Sequence, residues 1–241
     1  TIYKQSLLGP LWYLIQPVMY TVFLVFVFGE LAELSADGLP KPAFYLAGIT
    51  LWNYYSECAK KTSQAFIANA NIFGKVYFPR LILPLSIVIS NLMRLGIQYM
   101  LFIGVMLFFL ITTDQLQPNI FILFTPVIFL ILALFGLGTG VILSSLSAKY
   151  RDLRFAVEFG IQLLMYTTTV AYPLSMMEGN SRLLLLINPI TPLIETFRYG
   201  YLGAGVVEWT HLAYSLGASL VLIFVGMLIF NRIEKTFVDT V

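Results

Sequence analysis

Long apolar runs alternate with short polar stretches along this chain, and the length of each run is the first thing it states. Leu11 to Phe28 is the first run, closed by Glu30, Glu33 and Asp37. Ala43 to Ser56 is shorter and rich in aromatic residues. A polar stretch from Glu57 to Arg80 follows it, carrying Lys60, Lys61, Lys75 and Arg80. Leu81–Ile111, Ile120–Leu146, Phe155–Ser175 and Leu212–Phe230 complete the series, ahead of a polar tail from Asn231 to Val241. A hydrocarbon core of about 30 Å takes roughly 20 apolar residues of helix. The pattern therefore predicts an all-α, polytopic membrane protein, with residues 1–241 as a single transmembrane domain of six transmembrane helices. The spans fall at about 11–28, 43–56, 81–111, 120–146, 155–175 and 212–230.

Met176 to Trp209 does not fit an ordinary loop. Leu183 to Ile187 is apolar but too short to cross. Asn188-Pro189 and Thr191-Pro192 then break it, because proline lacks an N–H and disfavours helix in the residue before it. A second apolar piece, Leu193 to Leu202, follows with Glu195 and Arg198. Two short helices dipping into the outer leaflet are expected, with a surface loop as the alternative. Backbone at that depth is stable only when packed on protein or lining a wet cavity.

Composition agrees with the pattern. The chain is 59% hydrophobic and 11% charged, with a mean hydropathy of +0.86, whereas a soluble domain carries roughly 25% charged residues. The net charge of +2 is spread over short loops with no dense basic run, so nucleic acid is not a partner. Ten Lys and Arg residues fall on the side that holds Lys4, the Glu57–Arg80 stretch, the Lys149–Arg154 loop and the tail. Three (Lys41, Arg182 and Arg198) fall on the other, and Arg94 is left within a span. Cytoplasmic loops are the basic ones, so both termini are expected in the cytoplasm, which an even number of spans allows. One cysteine, Cys58, and one histidine, His211, leave no intrachain disulfide, cysteine metal cluster or His-rich site. Thr1 is not an initiator methionine, so the natural amino terminus is expected upstream. The first apolar run is too long, and lacks the small-residue cleavage site, for a removable signal peptide.

No catalytic set is visible. A G-x-x-x-x-G-K-[ST] phosphate loop is missing, so ATP hydrolysis by this chain is not expected. An ion-coupled transporter would place acids or histidines deep in its spans. Here Glu57, Asp152 and Glu158 lie near the expected inner ends and the other acids mostly in outer loops. An enzyme acting on lipid-linked sugar would need clustered carboxylates or a metal, and the sequence offers neither.

Three sets of residues remain. Arg94 lies near the middle of the third span, where an unpaired charge costs roughly 2.5–3.5 kcal/mol on insertion scales. Asn91 and Gln98 are three and four residues from it. This stripe is expected to face protein or an aqueous path, with Glu57 or Glu158 as partners. Tyr45, Gly48, Trp52 and Tyr55 share one helical face of the second span, and Tyr13 and Tyr20 one face of the first. Such rings either stack on sugar faces along a path or belong to the aromatic belt at the lipid interface. Gly136, Gly138 and Gly140, with Ser144 and Ser145, let helices approach closely. They read as packing inside the bundle rather than as a dimer contact.

Five segments, in order, carry a resemblance to the membrane subunits of ABC-type polysaccharide exporters, the group that moves O-antigen and teichoic-acid chains. They are Tyr3-Lys4-Gln5-Ser6-Leu7-Leu8-Gly9-Pro10-Leu11-Trp12 with Gln16-Pro17; Lys75-Val76-Tyr77-Phe78-Pro79-Arg80; Tyr150-Arg151-Asp152; Asn188-Pro189 with Pro192, Glu195 and Phe197-Arg198; and Ile233-Glu234-Lys235 with Phe237 and Asp239. The chain departs at Ile2, where many members have arginine, and most of the family's leading amphipathic helix would lie upstream of Thr1.

The resemblance implies a cytoplasmic coupling helix within Lys60–Arg80 that fits a groove on an ATPase, with Phe66 and Phe73 as apolar contacts and Asn69, Asn71 and Lys75 as polar ones. A solvated connector is the plainer alternative. Arg151 and Asp152 stand as a second contact or as topological signals only. Asn188, Pro189, Pro192, Glu195 and Arg198 resemble outer gate helices. The implied partners are a second copy of the chain, two ATP-binding cassette subunits that hold ATP and Mg, a lipid-linked polysaccharide and membrane lipid. No cofactor is expected in the chain itself. The implied setting is a bacterial inner membrane. An ABC exporter of a drug or lipid, and a membrane-embedded glycan-processing enzyme, are the alternatives.

Overall fold

The computed structural model describes residues 11–69, 81–149 and 152–238, and the regular structure in them is helical. Helix α1 (Trp12–Leu24) runs on into a π-helical turn, Val25–Leu31. Pro17 lies inside α1, and the Thr21 hydroxyl donates back to the Pro17 carbonyl at 2.7 Å. A tight turn follows, with Glu33 and Asp37 at φ 50° and 56°. Helix α2 (Lys41–Ala68) opens with Pro42, a residue suited to a first helical turn whose N–H groups have no partner in the helix.

Helix α3 is Ile82–Thr112, and a 3₁₀ turn at Ile120–Phe124 leads into α4 (Thr125–Lys149). Helix α5 is Leu153–Met165, α6 Gly179–Ile187, α7 Thr191–Leu202 and α8 Trp209–Val238.

The core forms around α2. From Ala43 to Ser56 every residue except Asn53 is buried, because α1, α3, α4, α5 and α7 all pack on it. A helix apolar on all sides has to be enclosed in this way. Glycines make the closest contacts. A Cβ on Gly136 would meet Cys58 Cβ at 2.8 Å, and one on Gly140 would meet Thr62 Cβ at 2.5 Å, both on α2. One on Gly138 would meet the α8 backbone at Ile223 N, 2.8 Å away. The small-residue stripe therefore packs α4 between α2 and α8, inside the bundle. Outward faces are apolar, with Met100 75% and Phe224 64% exposed, the surface of a protein solvated by lipid.

Among the described residues, four helical stretches have the length and apolarity to cross a membrane: Trp12–Leu31, Ile82–Thr112, Ile120–Ser147 and Trp209–Arg232. The two other expected spans differ from the sequence reading. The second does not stop at Ser56. Its helix continues to Ala68, because Cys58, Ala59, Thr62, Ser63 and Ala65 stay buried while Lys61 turns outward. The expected fifth span, Phe155–Ser175, is helical only to Met165. Thirteen residues reach about 20 Å, and turns at 166–170 continue the path.

Candidate functional site

Among the described residues, two polar clusters centred on arginines interrupt this apolar bundle. The first joins α1, α2 and α3. Arg94 on α3 forms an ion pair with Glu57 of α2 at 2.6 Å and donates to the Gln16 amide oxygen of α1 at 2.7 Å. Its guanidinium carbon lies 5.2 Å from the centre of the Tyr13 ring. Glu57 also receives Lys61, one helical turn on, at 3.1 Å, and Lys61 donates to the Asn91 side-chain oxygen at 3.0 Å. Farther out along α3, Asn53 donates to Gln98 at 3.4 Å.

Asn91 and Gln98 are buried, so the predicted stripe faces protein, namely α2. Of the two acids considered for Arg94, Glu57 is the partner. Glu158 instead accepts from Gln64 at 2.8 Å. Lys61 was missed in this role because its neighbours in sequence read as a loop. The spacing Glu57–Lys61, one helical turn, was the signal that could have found it. Arg94 Nε and the Gln98 amide nitrogen have no hydrogen-bond partner among the described residues.

The aromatic face of α2 points into the bundle. Tyr45, Trp52 and Tyr55 are 0%, 5% and 2% exposed. Trp52 packs on Tyr55, and Tyr55 on Phe135 of α4, with ring centres 5.3 and 5.2 Å apart. These rings are buried within the single chain. On α1, Tyr20 is exposed and Tyr13 sits beneath Arg94.

The second cluster is centred on Arg198. Eleven of the twelve residues of α7, Pro192, Glu195 and Arg198 among them, are buried. Arg198 donates from Nε and Nη2 to the Phe44 carbonyl at 3.3 and 3.2 Å, and from Nη2 to the Val170 carbonyl at 3.1 Å. From Nη1 it donates to the Thr169 carbonyl at 2.5 Å and pairs with Glu195 at 3.5 Å. The guanidinium also lies over the Phe44 ring at 3.5 Å. The other Glu195 oxygen accepts the Val206 N–H at 3.2 Å.

One side chain thus ties α7 to the first turn of α2 and to the non-helical segment after α5. It satisfies carbonyls that an unwound backbone would leave bare in a dry interior. Arg198 was counted as a loop charge in the sequence, since its partners are backbone atoms distant in the chain.

The break between the short helices falls where the prolines place it. Asn188 donates to the Thr167 hydroxyl at 3.1 Å and accepts from the Ile190 N–H at 3.1 Å, and Pro189 follows it. Helix α6 differs from α7 in that only Leu185 is buried, while Leu183, Leu184 and Ile187 are exposed.

Of the expected coupling residues, Asn69 caps the end of α2 by donating to the Ala65 carbonyl at 2.8 Å. Phe66 lies within α2, and Asp152 is exposed just before α5. Asn71, Phe73, Lys75 and Arg151 lie outside the described residues, as do the matching segments at Tyr3–Pro10 and Lys75–Arg80. Among the described residues no three His, Cys, Asp or Glu side chains gather to hold a metal.

Comparison with known proteins gives a consistent answer. An O-antigen export system permease protein, RfbA, from Klebsiella pneumoniae is 27% identical over 237 residues, which is 98% of this chain and 89% of that one. The protein of the same description from Myxococcus xanthus is 26% identical over 99% of this chain and 90% of its own length. The polysialic acid transport protein KpsM of Escherichia coli is 21% identical over 95% of this chain and 87% of its own. Residues 1–202 match the ABC-2 type transporter family along their whole length. With most of the chain matched and its described residues forming an apolar helical bundle, the chain belongs to the ABC-2 type transporter family.

Proposed function

We propose that this chain is the permease subunit of an ATP-driven exporter that moves a lipid-linked polysaccharide from the cytoplasm across a bacterial inner membrane. The observation that carries the reading is end-to-end similarity to permeases named for O-antigen and polysialic acid, without a phosphate-loop motif in the sequence. Energy then comes from two ATP-binding cassette subunits, which hold ATP and Mg, and two copies of this chain form the membrane part.

Six crossings result if α2 and the combination of α5 with its turns join the four long apolar stretches. Both termini then lie in the cytoplasm. Helices α6 and α7 form a short outer-side re-entrant pair, with α7 fixed by Arg198 and α6 exposed as the movable part of a gate. The interior of one chain is filled by Tyr45, Trp52, Tyr55 and their neighbours, so the polymer passes between the two copies. Phe66, Asn69, Asn71, Phe73 and Lys75, with Arg151 and Asp152 as a second contact, transmit the ATPase motion. The test is deletion of the gene. One surface glycan should disappear and accumulate inside the cell; unchanged surface glycans would remove the reading.

A further inference from the structure

Helices α6 and α7 are neighbours in the chain but are held in different ways. Eleven of the twelve residues of α7 are buried, whereas α6 buries only Leu185. Among the described residues, two side-chain contacts tie α6 to the outer end of α8. At the end of α6, the Tyr214 hydroxyl donates to the Ile187 carbonyl at 2.7 Å. This is one of the last carbonyls of the helix, which its own backbone leaves unpaired. Ser215, next to Tyr214, donates to the Pro189 carbonyl at 2.8 Å, and Asn188 between them donates to Thr167. The break after α6 is therefore pinned.

The start of α6 is held by much less. Arg182 pairs with Glu208 at 4.0 Å, and the two side chains are 43% and 45% exposed. Of the two, Glu208 is the fixed post. Its carbonyl accepts the Leu212 N–H at 3.2 Å and so opens α8, where a negative charge suits the positive end of the helix dipole. His211 Nδ1 lies 3.3 Å from its second carboxylate oxygen. Arg182 reaches this post on a long side chain, from a helix that starts at Gly179 with open space around its Cβ position. The two ties agree in register. Arg182 to Ile187 rises about 7.5 Å and Glu208 to Tyr214 about 9 Å, so α6 lies beside the first turns of α8 and points the same way.

We propose that Arg182 and Glu208 form the latch of the outer gate, and that α6 swings on its Ile187–Pro189 anchor when this pair opens. The latch rests on the gate reading given above, and it names the residues that position α6. In that orientation the anchor lies deep and the latched end lies at the outer surface. The magnitude suits a latch. An exposed ion pair shifts an equilibrium by about two- to fivefold, enough to bias the closed position without locking it. Breaking a buried pair such as Arg198–Glu195 costs far more, which is why α7 stays in place.

Leu185→Cys supplies a reporter, because Leu185 is 3% exposed while α6 is seated. The experiment measures how fast a sulfonated maleimide labels this position in the detergent-purified complex with its ATP-binding subunits. The native Cys58, fully buried in the core, is followed in the same sample as the control for general unfolding. Against the reporter alone, Glu208→Gln or Arg182→Gln should raise the labelling rate about two- to fivefold. The two together should raise it no further, since they remove one shared interaction.

Arg182→Glu combined with Glu208→Arg should label more slowly than either reversal alone, which sets like charges side by side. Raising NaCl from about 0.05 to 1 M should bring the reporter up to the Glu208→Gln rate and leave that variant unchanged, because salt screens an exposed pair. Equal rates for the reporter and Glu208→Gln, a charge swap no slower than the single reversals, or Cys58 labelling that rises in step would each overturn the proposal. Labelling needs no glycan, whereas the export reading is tested by surface glycan in the gene deletion, so failure of one is distinct from failure of the other.

Discussion

Replacing Arg198 by lysine keeps the charge but removes the planar fork. The guanidinium serves three carbonyls, those of Phe44, Thr169 and Val170, and pairs with Glu195. An ammonium on a shorter stem donates from one point and cannot reach both Phe44 on α2 and the Thr169–Val170 turn. About two carbonyls are left bare in a dry site, at roughly 1–3 kcal/mol each. Arg198→Lys should therefore cost about 2–6 kcal/mol, a large share of the roughly 5–15 kcal/mol that holds a typical domain together. Arg198→Met should cost more, since it also strands the buried Glu195 carboxylate, a loss of about 3–5 kcal/mol when one partner of a buried pair is removed. Glu195→Gln should be the mildest of the three, because all three carbonyls keep their donor. The assay is unfolding in mixed micelles titrated with SDS, followed by tryptophan fluorescence, with thermal loss of the monodisperse peak as a second readout. Stability of Arg198→Lys within 1 kcal/mol of the parent, an order-of-magnitude margin set by the cost of one orphaned carbonyl, would refute the reasoning.

Gly138→Val should separate α4 from α8, because its side chain would strike the α8 backbone at Ile223 N and Leu222 C, 2.8 and 2.9 Å from the Cβ position. A loss of about 1–3 kcal/mol is expected, measured by the same titration. Trp52→Leu and Tyr55→Leu should each lower stability by about 1–3 kcal/mol through cavities in the core. Normal stability with lost export would return those rings to the polymer path. Changing Asn69, Asn71 and Phe73 together should leave the complex with the ATP-binding subunit intact while hydrolysis no longer drives export; unchanged export would move coupling to Arg151 and Asp152.

Much of the fold was legible because a lipid-solvated helix declares itself by an unbroken apolar run, as Ile82–Thr112 and Trp209–Arg232 do. The glycines of α4 were legible too, since small residues at helical spacing admit few other uses. The lower half of α2 was not. Lys60, Lys61 and Gln64 read as a loop, and only the packing of Ala59, Thr62 and Ser63 shows that the helix continues. The end of α5 at Met165 was hidden for a different reason. Residues 166–171 are compatible with helix, and the group that stabilises their unwound form is Arg198, about thirty residues on. The face of Tyr45, Trp52 and Tyr55 shows the limit most clearly. Helical spacing placed them together correctly, but the same spacing serves a sugar platform, a lipid belt and a packed core, and the neighbours on α4 decide among them.

The central claim is that this chain moves a lipid-linked polysaccharide with energy supplied by a separate ATPase. It is tested most directly in proteoliposomes that contain the chain and its ATP-binding subunit, with lipid-linked glycan in the membrane and a membrane-impermeant glycosidase on the far side. The account predicts glycan cleavage only when both subunits and hydrolysable ATP are present, with no hydrolysis by this chain alone. Robust ATP hydrolysis by the chain without its partner, or glycan crossing that needs neither ATP nor the second subunit, would contradict it.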